Sequence, residues 1–354
     1  MFELLIRRAG WLLLALAAVS CGDDGIQVGT TISVSLEGLR DLDPATEGTY
    51  EAWITDSGGN MVSLGRFLLP KEGRVIFENP VGTPSSFMIT LEPPGDDDDQ
   101  PSIYRLLGGT FDGSVAELRI DGYVTAGPPL EEHIGTHVLF TPANNAWRGY
   151  PSDEDAGIWI FNIRAIADPM RRQGLDLSSE FFLKVTPLSA GWTYEGWVVH
   201  DYGKPTECWI SYGKMVPGEF NRLNLQDNTG FGPFSGYTDY VGNPLAIQHN
   251  FPGDDWVENP YGFPVPCGLE LPFDMNGNST RGIKSPWTHV ITIEPAFDLL
   301  TESPEVDPAA PLTARPFLIR PYRDAFGEGP ADEPRLIQYD GAQVPRGRAA
   351  LTGL

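Results

Sequence analysis

Hydrophobic and polar residues alternate along most of this chain in short runs separated by turn residues. In Tyr50-Glu51-Ala52-Trp53-Ile54-Thr55, Tyr50, Ala52 and Ile54 fall on one face and Glu51, Trp53 and Thr55 on the other. A period of two is the signature of a strand. Asp56-Ser57-Gly58-Gly59-Asn60 follows, a turn rich in residues that tolerate positive φ. Val62 to Leu69 resumes the alternation, which predicts a hairpin. Arg74–Glu78, Phe87–Leu91, Ile103–Leu107 and Ala116–Ile120 continue at short intervals, and Thr136–Thr141 with Gly157–Arg164 predict a further strand pair. Only Ile166–Gln173 has helical character, and Pro169 limits it to a turn or two. The pattern predicts an all-β protein of packed sandwiches.

The strands repeat. Thr49-Tyr50-Glu51-Ala52-Trp53-Ile54 recurs as Thr193-Tyr194-Glu195-Gly196-Trp197-Val198. Phe87-Met88-Ile89-Thr90-Leu91-Glu92-Pro93 recurs as His289-Val290-Ile291-Thr292-Ile293-Glu294-Pro295. Ordered matches of this kind mark two copies of one module. Trp53 to Glu92 is 39 positions and Trp197 to Glu294 is 97, so the second copy carries about 58 extra residues. The expected organisation is two tandem β-sandwich modules: module 1 over 31–125, a connecting hairpin and linker over 126–178, and module 2 over 179–325 with its insertion at about 200–285. A Gly/Pro-rich stretch, 326–354, reads as a flexible tail.

The N-terminus has a different pattern. Arg7 and Arg8 precede an apolar run, Ala9–Val19, that is too short to span a bilayer but suits a signal peptide. Ala18-Val19-Ser20-Cys21 resembles a bacterial lipobox. That resemblance implies cleavage after residue 20, acylation of Cys21, and a short anchor linker over 21–30. Gly22 leaves the position after the cysteine without the aspartate that can retain lipoproteins in the inner membrane, which favours the outer membrane. The expected location is the bacterial cell envelope, with the chain tethered through lipid.

Composition adds a constraint on partners. There are 48 acidic and 24 basic residues, a net charge of -24, and losing residues 1–20 removes Glu3, Arg7 and Arg8 and takes it to -25. Nucleic acid is excluded as a partner by repulsion from its phosphates. With Cys21 given to lipid, Cys208 and Cys267 are an even pair in an oxidising compartment, and a disulfide between them would staple the insertion.

Candidate chemistry is sparse. Asp96, Asp97, Asp98 and Asp99 are adjacent carboxylates, either a site for a hard cation such as Ca²⁺ or a solvated loop tip. His133 and His137 beside Glu131 and Glu132 suggest a metal cluster, but Gly135 lies between the histidines and the segment is flanked by Pro and Gly. No G-x-S-x-G elbow and no phosphate-binding G-x-x-x-x-G-K-[ST] motif occurs. In the insertion, Trp209, Tyr212, Tyr237, Tyr240, Trp256 and Tyr261 sit among Gly, Asn and Asp. Such rings either stack on a sugar or peptide or form the insertion's own small core.

Tyr50-x-x-Trp53-x-x-Asp56-x-x-Gly59-x-x-x-Ser63-x-Gly65-x-Phe67, with Thr90-x-Glu92-Pro93-x-Gly95 and Pro101, resembles the extracytoplasmic domain of anti-sigma-K factors. The likeness covers about residues 30–125 and, more loosely, 180–322. It implies an extracytoplasmic β-module of sensing or binding type. It brings no sigma-factor binding, because this chain has no matching transmembrane helix or cytoplasmic helical domain, and no catalytic set. The expected function is a non-catalytic envelope module that binds an envelope protein or a glycan. The rivals are a glycan hydrolase of the envelope and a purely structural lipoprotein.

Overall fold

The structure is a computed structural model. It describes residues 30–133, 135–139, 141, 154–160, 185–215, 253–257, 259, 262, 264–276, 285–296, 316–326 and 334–353. Cys21, the signal segment and Ile166–Gln173 lie outside the described residues.

The fold is all-β. Module 1 begins with β1 (Thr31–Glu37), β2 (Thr49–Thr55), β3 (Met61–Phe67), β4 (Arg74–Glu78), β5 (Ser86–Glu92), β6 (Arg105–Thr110) and β7 (Val115–Leu118). Between the modules lie β8 (Gly135–Leu139) and β9 (Gly157–Trp159). Then follow β10 (Trp192–His200), β11 (Cys208–Met215), β12 (Gly253–Asp255), β13 (Trp287–Pro295), β14 (Ile319–Ala325), β15 (Arg335–Tyr339) and β16 (Arg346–Thr352). They form three sheets, ordered β4-β1-β16-β7, β3-β2-β5-β6 and β11-β10-β13-β14-β15-β8-β9-β12.

The alternation fixes which face of each strand is buried. Ile32 and Val34 of β1, Tyr50, Ala52 and Ile54 of β2, Phe87, Ile89 and Leu91 of β5, and Ala116 and Leu118 of β7 all enter one core. The β2–β3 turn is closed by Asp56, whose Oδ1 accepts from the backbone N–H of Gly58 and of Asn60, each at 2.8 Å. A bridge between Gly108 and Arg119 joins the β6 and β7 ends of the two small sheets, so module 1 curls into a half-barrel.

The repeat holds at the level of register. Trp53 pairs with Met88 and Thr49 with Glu92; Trp197 pairs with Val290 and Thr193 with Glu294. Ala52 faces Gly65 and Trp53 faces Ser63, with Leu64 bulged between them. Gly196 faces Gly213 and Trp197 faces Ser211, with Tyr212 bulged in the same place. The sheet orders β3-β2-β5-β6 and β11-β10-β13-β14 therefore superpose strand for strand.

Three boundaries differ from the sequence expectation. First, β11 is the counterpart of β3, so the extra chain of module 2 starts after Met215 and not near residue 200. Cys208 thus lies on the repeated hairpin, and the Cys208–Cys267 disulfide ties that hairpin to the excursion. Second, 326–354 is not a flexible tail. β15 pairs with β14 and β8, and β16 lies between β1 and β7 with every residue from Arg346 to Thr352 paired to β1. Module 1 is closed by the last strand of the chain, and module 2 is threaded between β7 and β16. Third, the pair expected between the modules does form, as β8 with β9, but it belongs to the eight-stranded sheet because β15 recruits β8.

Candidate functional site

The residues that define the repeat are a structural clasp. Trp53 Nε1 donates to Thr90 Oγ1 at 2.8 Å, and the Thr90 hydroxyl donates to Glu92. Trp197 Nε1 donates to Thr292 Oγ1 at 2.9 Å. Ser63 donates to Glu51, as Ser211 does to Glu195. Tyr50 donates to the Arg40 carbonyl at 3.0 Å and Tyr194 to the Thr186 carbonyl at 2.9 Å. Burial raises the titration of both phenols. Buried polar groups must be satisfied, and the Trp–Thr, Ser–Glu and Tyr–carbonyl bonds recur in both copies, while Glu294 accepts from the Phe317 N–H at 2.9 Å. The motif is therefore what makes the sheet, and its conserved chemistry across the two copies is spent on folding.

The acidic loop after β5 is anchored by one carboxyl. Glu92 is 1% exposed. Burial, then its neighbours Asp96 and Glu51, push its titration up to about 7, against hydrogen bonds from Thr90 and Ser102 that pull it down. Asp96 Oδ1 accepts from the Asp98 N–H at 3.1 Å and Asp98 Oδ1 from the Gln100 N–H at 2.7 Å. These are local turn bonds. Asp97, Asp98 and Asp99 point to solvent. Among the described residues, no three or more His, Cys, Asp or Glu side chains are grouped to hold a metal ion. His133 and His137 do not form a pair among the described residues; His137 turns inward instead.

Inside module 2 a polar chain crosses the core. Tyr212 OH lies 2.8 Å from His289 Nε2, His289 Nδ1 lies 3.2 Å from His137 Nδ1, and His137 Nε2 lies 3.6 Å from Asp324 Oδ2. Both histidines are fully buried. Burial holds both imidazoles neutral, His289 down to about 3 and His137 well below its ordinary value, with His289 and Arg335 adding to the effect on His137. Asp324 is raised to about 6 by burial, opposed by Arg335. One proton assignment suits an ionised Asp324. Tyr212 donates to His289, His289 donates through Nδ1 to His137, and the remaining His137 N–H faces the carboxylate.

The repeat shows that the sheet does not require this chain. His289 and Val198 pair as Phe87 and Ile54 do, so His289 stands where module 1 has Phe87. Tyr212 stands at the place of Leu64, and Asp324, opposite His289, at that of Gly109, opposite Phe87. Gly196, at the place of Ala52, makes room: a Cβ there would lie 1.8 Å from Tyr212 Cζ. Module 2 has replaced an apolar set by a polar one at matching positions.

The open concavity lies elsewhere. A cleft of about 450 Å³ forms where the end of β7, the 3-10 turn Leu130–Glu132, β15 and the start of β16 meet. Glu117, Arg119, Asp121, Glu131, Tyr339 and Arg346 supply its polar wall. Arg346 is engaged by Glu37 at 2.6 Å, and Glu117 by Arg348 at 3.4 Å. Asp121 and Glu131 make no ion pair among the described residues. Burial and then Glu131, Asp121 and Asp340 raise the Tyr339 phenol, opposed by Arg346.

Trp209, Tyr212 and Trp256 are interior residues, which agrees with the core reading of these rings and not with the stacking one. Trp209 packs on Trp197 with the Arg320 guanidinium 4.6 Å above it, and Trp256 stacks on Phe273. They have no face open to a ligand. Tyr237, Tyr240 and Tyr261 lie outside the described residues. Sequence reasoning passed over His289 and Asp324. The available signal was the histidine at the Phe87 position of the aligned repeat. It also missed the cleft, whose walls come from residues 117–131 and 339–347, far apart in the chain. No protein-family model, curated protein or solved structure matches this chain.

Proposed function

We propose that the mature protein is a lipid-anchored, non-catalytic envelope module that binds a basic segment of a partner protein in the cleft between β7, β15 and β16. The observation that carries this reading is the wall of that cleft, where Asp121 and Glu131 have no ionic partner among the described residues and line the cleft with the half-exposed ring of Tyr339. An aromatic face with flanking carboxylates favours a Lys or Arg side chain. The net charge of the mature chain adds long-range attraction for cations. The signal segment and Cys21 support the anchor, and the likeness to anti-sigma-K outer domains is in keeping with a sensing or binding role.

Titration of the mature protein with a lysine/arginine-bearing peptide tests the site. Replacing Asp121 and Glu131 by Asn and Gln is expected to weaken binding at least tenfold. A charge-matched variant, with Asp97 and Asp98 both changed to Asn, is expected to keep it. Equal loss in both variants would mean bulk charge attraction and defeat the site. Cys21→Ser is expected to release the protein from membranes, and continued membrane association would defeat the anchor.

A further inference from the structure

We infer that His137 and His289 form an acid-sensitive latch that holds the β8–β9–β12 end of the eight-stranded sheet against β13. This is independent of the cleft. β8 and β13 are separated by β14 and β15 in the sheet, and they meet because the sheet curls. The contact is made by the two imidazoles, whose rings are edge-to-face with centroids 4.6 Å apart, and Phe326 packs on His137 at 5.3 Å. The bond at 3.2 Å needs one unprotonated Nδ1 as acceptor, so it holds while at least one ring is neutral and fails when both are cations.

The groups facing the pair do not compensate a second proton. From β11 comes the neutral Tyr212 phenol, and from β15 the cationic Arg335, the register partner of His137. From β14 comes Asp324, the one anion paired with either imidazole among the described residues, itself taking up a proton near 6. Asp155 acts on Arg335 and not on the imidazoles. Among the described residues His137 Nε2 has no hydrogen-bond partner within range. A charge on His289, whose bonded neighbours are the Tyr212 phenol and His137, therefore stays buried without a facing anion unless the contact opens. Module 1 fills the matching interior with Phe87 and Leu64 and has no such sensitivity. Opening would free β8, β9 and β12 with the Trp256–Phe273 stack, while Cys208–Cys267 keeps the excursion attached to β11.

The sign follows from the direction of each shift. His289 binds its proton less tightly folded (about 3) than free (6.5), so acid favours the open form by about thirtyfold between about pH 8 and about pH 5. His137 acts in the same sense. Asp324 holds its proton more tightly folded (about 6) than free (3.8) and opposes by about tenfold over that range.

Amide hydrogen exchange of the mature chain, corrected for intrinsic rates, reads the opening segment by segment. Peptides over 135–139, 157–159 and 253–255 are expected to lose protection on going to pH 5, while those over 31–37 and 346–352 keep theirs. Replacing both imidazoles, His137→Phe with His289→Phe, is expected to abolish the acid step, as is the non-titrating pair His137→Gln with His289→Gln if the first variant does not fold. Simultaneous loss of protection in both modules of the wild type would overturn the latch, as would an unchanged acid step in either folded variant.

Discussion

Gly196→Ala tests whether module 2 is the module 1 scaffold rebuilt around a polar chain. Alanine is the natural residue at the equivalent Ala52, so a scaffold indifferent to its interior would accept the change. The structure says otherwise. The new Cβ would lie 1.8 Å from Tyr212 Cζ and 2.2 Å from its hydroxyl oxygen, against 3.4 Å for ordinary contact, so the ring must move by at least 1.6 Å. Tyr212 is fully buried and its hydroxyl is tied to His289 at 2.8 Å. A movement of that size breaks the bond. Losing that hydrogen bond inside the core costs about 1–3 kcal/mol, and overpacking adds about 1–3 kcal/mol.

The expected loss is about 4 kcal/mol, read from guanidinium unfolding followed by tryptophan fluorescence. Gly196→Ala with Tyr212→Leu and His289→Phe installs the set Ala52, Leu64 and Phe87. It is expected to recover most of the loss, short by about 1–2 kcal/mol because His137 Nδ1 then lacks its partner. A single variant within about 1 kcal/mol of wild type would refute the steric argument. A triple variant no better than the single would refute the equivalence of the two interiors.

Three further outcomes follow from the same structure. Replacing Cys208 and Cys267 by Ser opens a loop with a sequence separation of 59 and is expected to lower stability by about 4 kcal/mol in the loop-entropy model; no change in the denaturation midpoint would show the staple to be idle. Deleting residues 345–354 removes β16, with Ala349 and Leu351 of the core, and is expected to abolish cooperative unfolding of module 1; retained exchange protection of β1 and β7 would restore the tail reading. Glu92 titrates at about 7 folded against 4.5 free, so its protonated form favours the fold. Its contribution is full below about pH 4.5 and lost as pH rises through 7. Glu92→Gln is therefore expected to raise stability at pH 8 by up to about 3 kcal/mol and flatten that slope, and an unchanged pH profile would contradict the burial argument.

What the sequence made legible was local. Strands β1 to β7 announce themselves because alternation is broken by turns such as Asp56–Asn60 whose chemistry is specific. The register of module 2 was legible through the repeat, since Trp53, Thr90 and Glu92 recur as Trp197, Thr292 and Glu294 at the positions their bonds require. β16 escaped notice because a strand paired on both sides needs little side-chain hydrophobicity. Its backbone bonds and two buried small or medium residues, Ala349 and Leu351, suffice.

The functional features were illegible for a related reason: they are made by closure. β16 returns to β1 across 309 positions at the Arg346–Glu37 contact, and that return builds one wall of the cleft. His137 and His289 are 152 positions apart and meet only because β15 recruits β8. Neither pairing has a local signature. The repeat nevertheless carried an indirect one. Where two copies of a module share their clasp residue for residue, the interior positions at which they disagree are released from the demands of the fold. Phe87 against His289, Leu64 against Tyr212 and Ala52 against Gly196 are three such disagreements, and in space they are one cluster. Comparing a chain with itself thus separates the residues that make the sheet from those placed inside it for another purpose, and it does so without any relative to align.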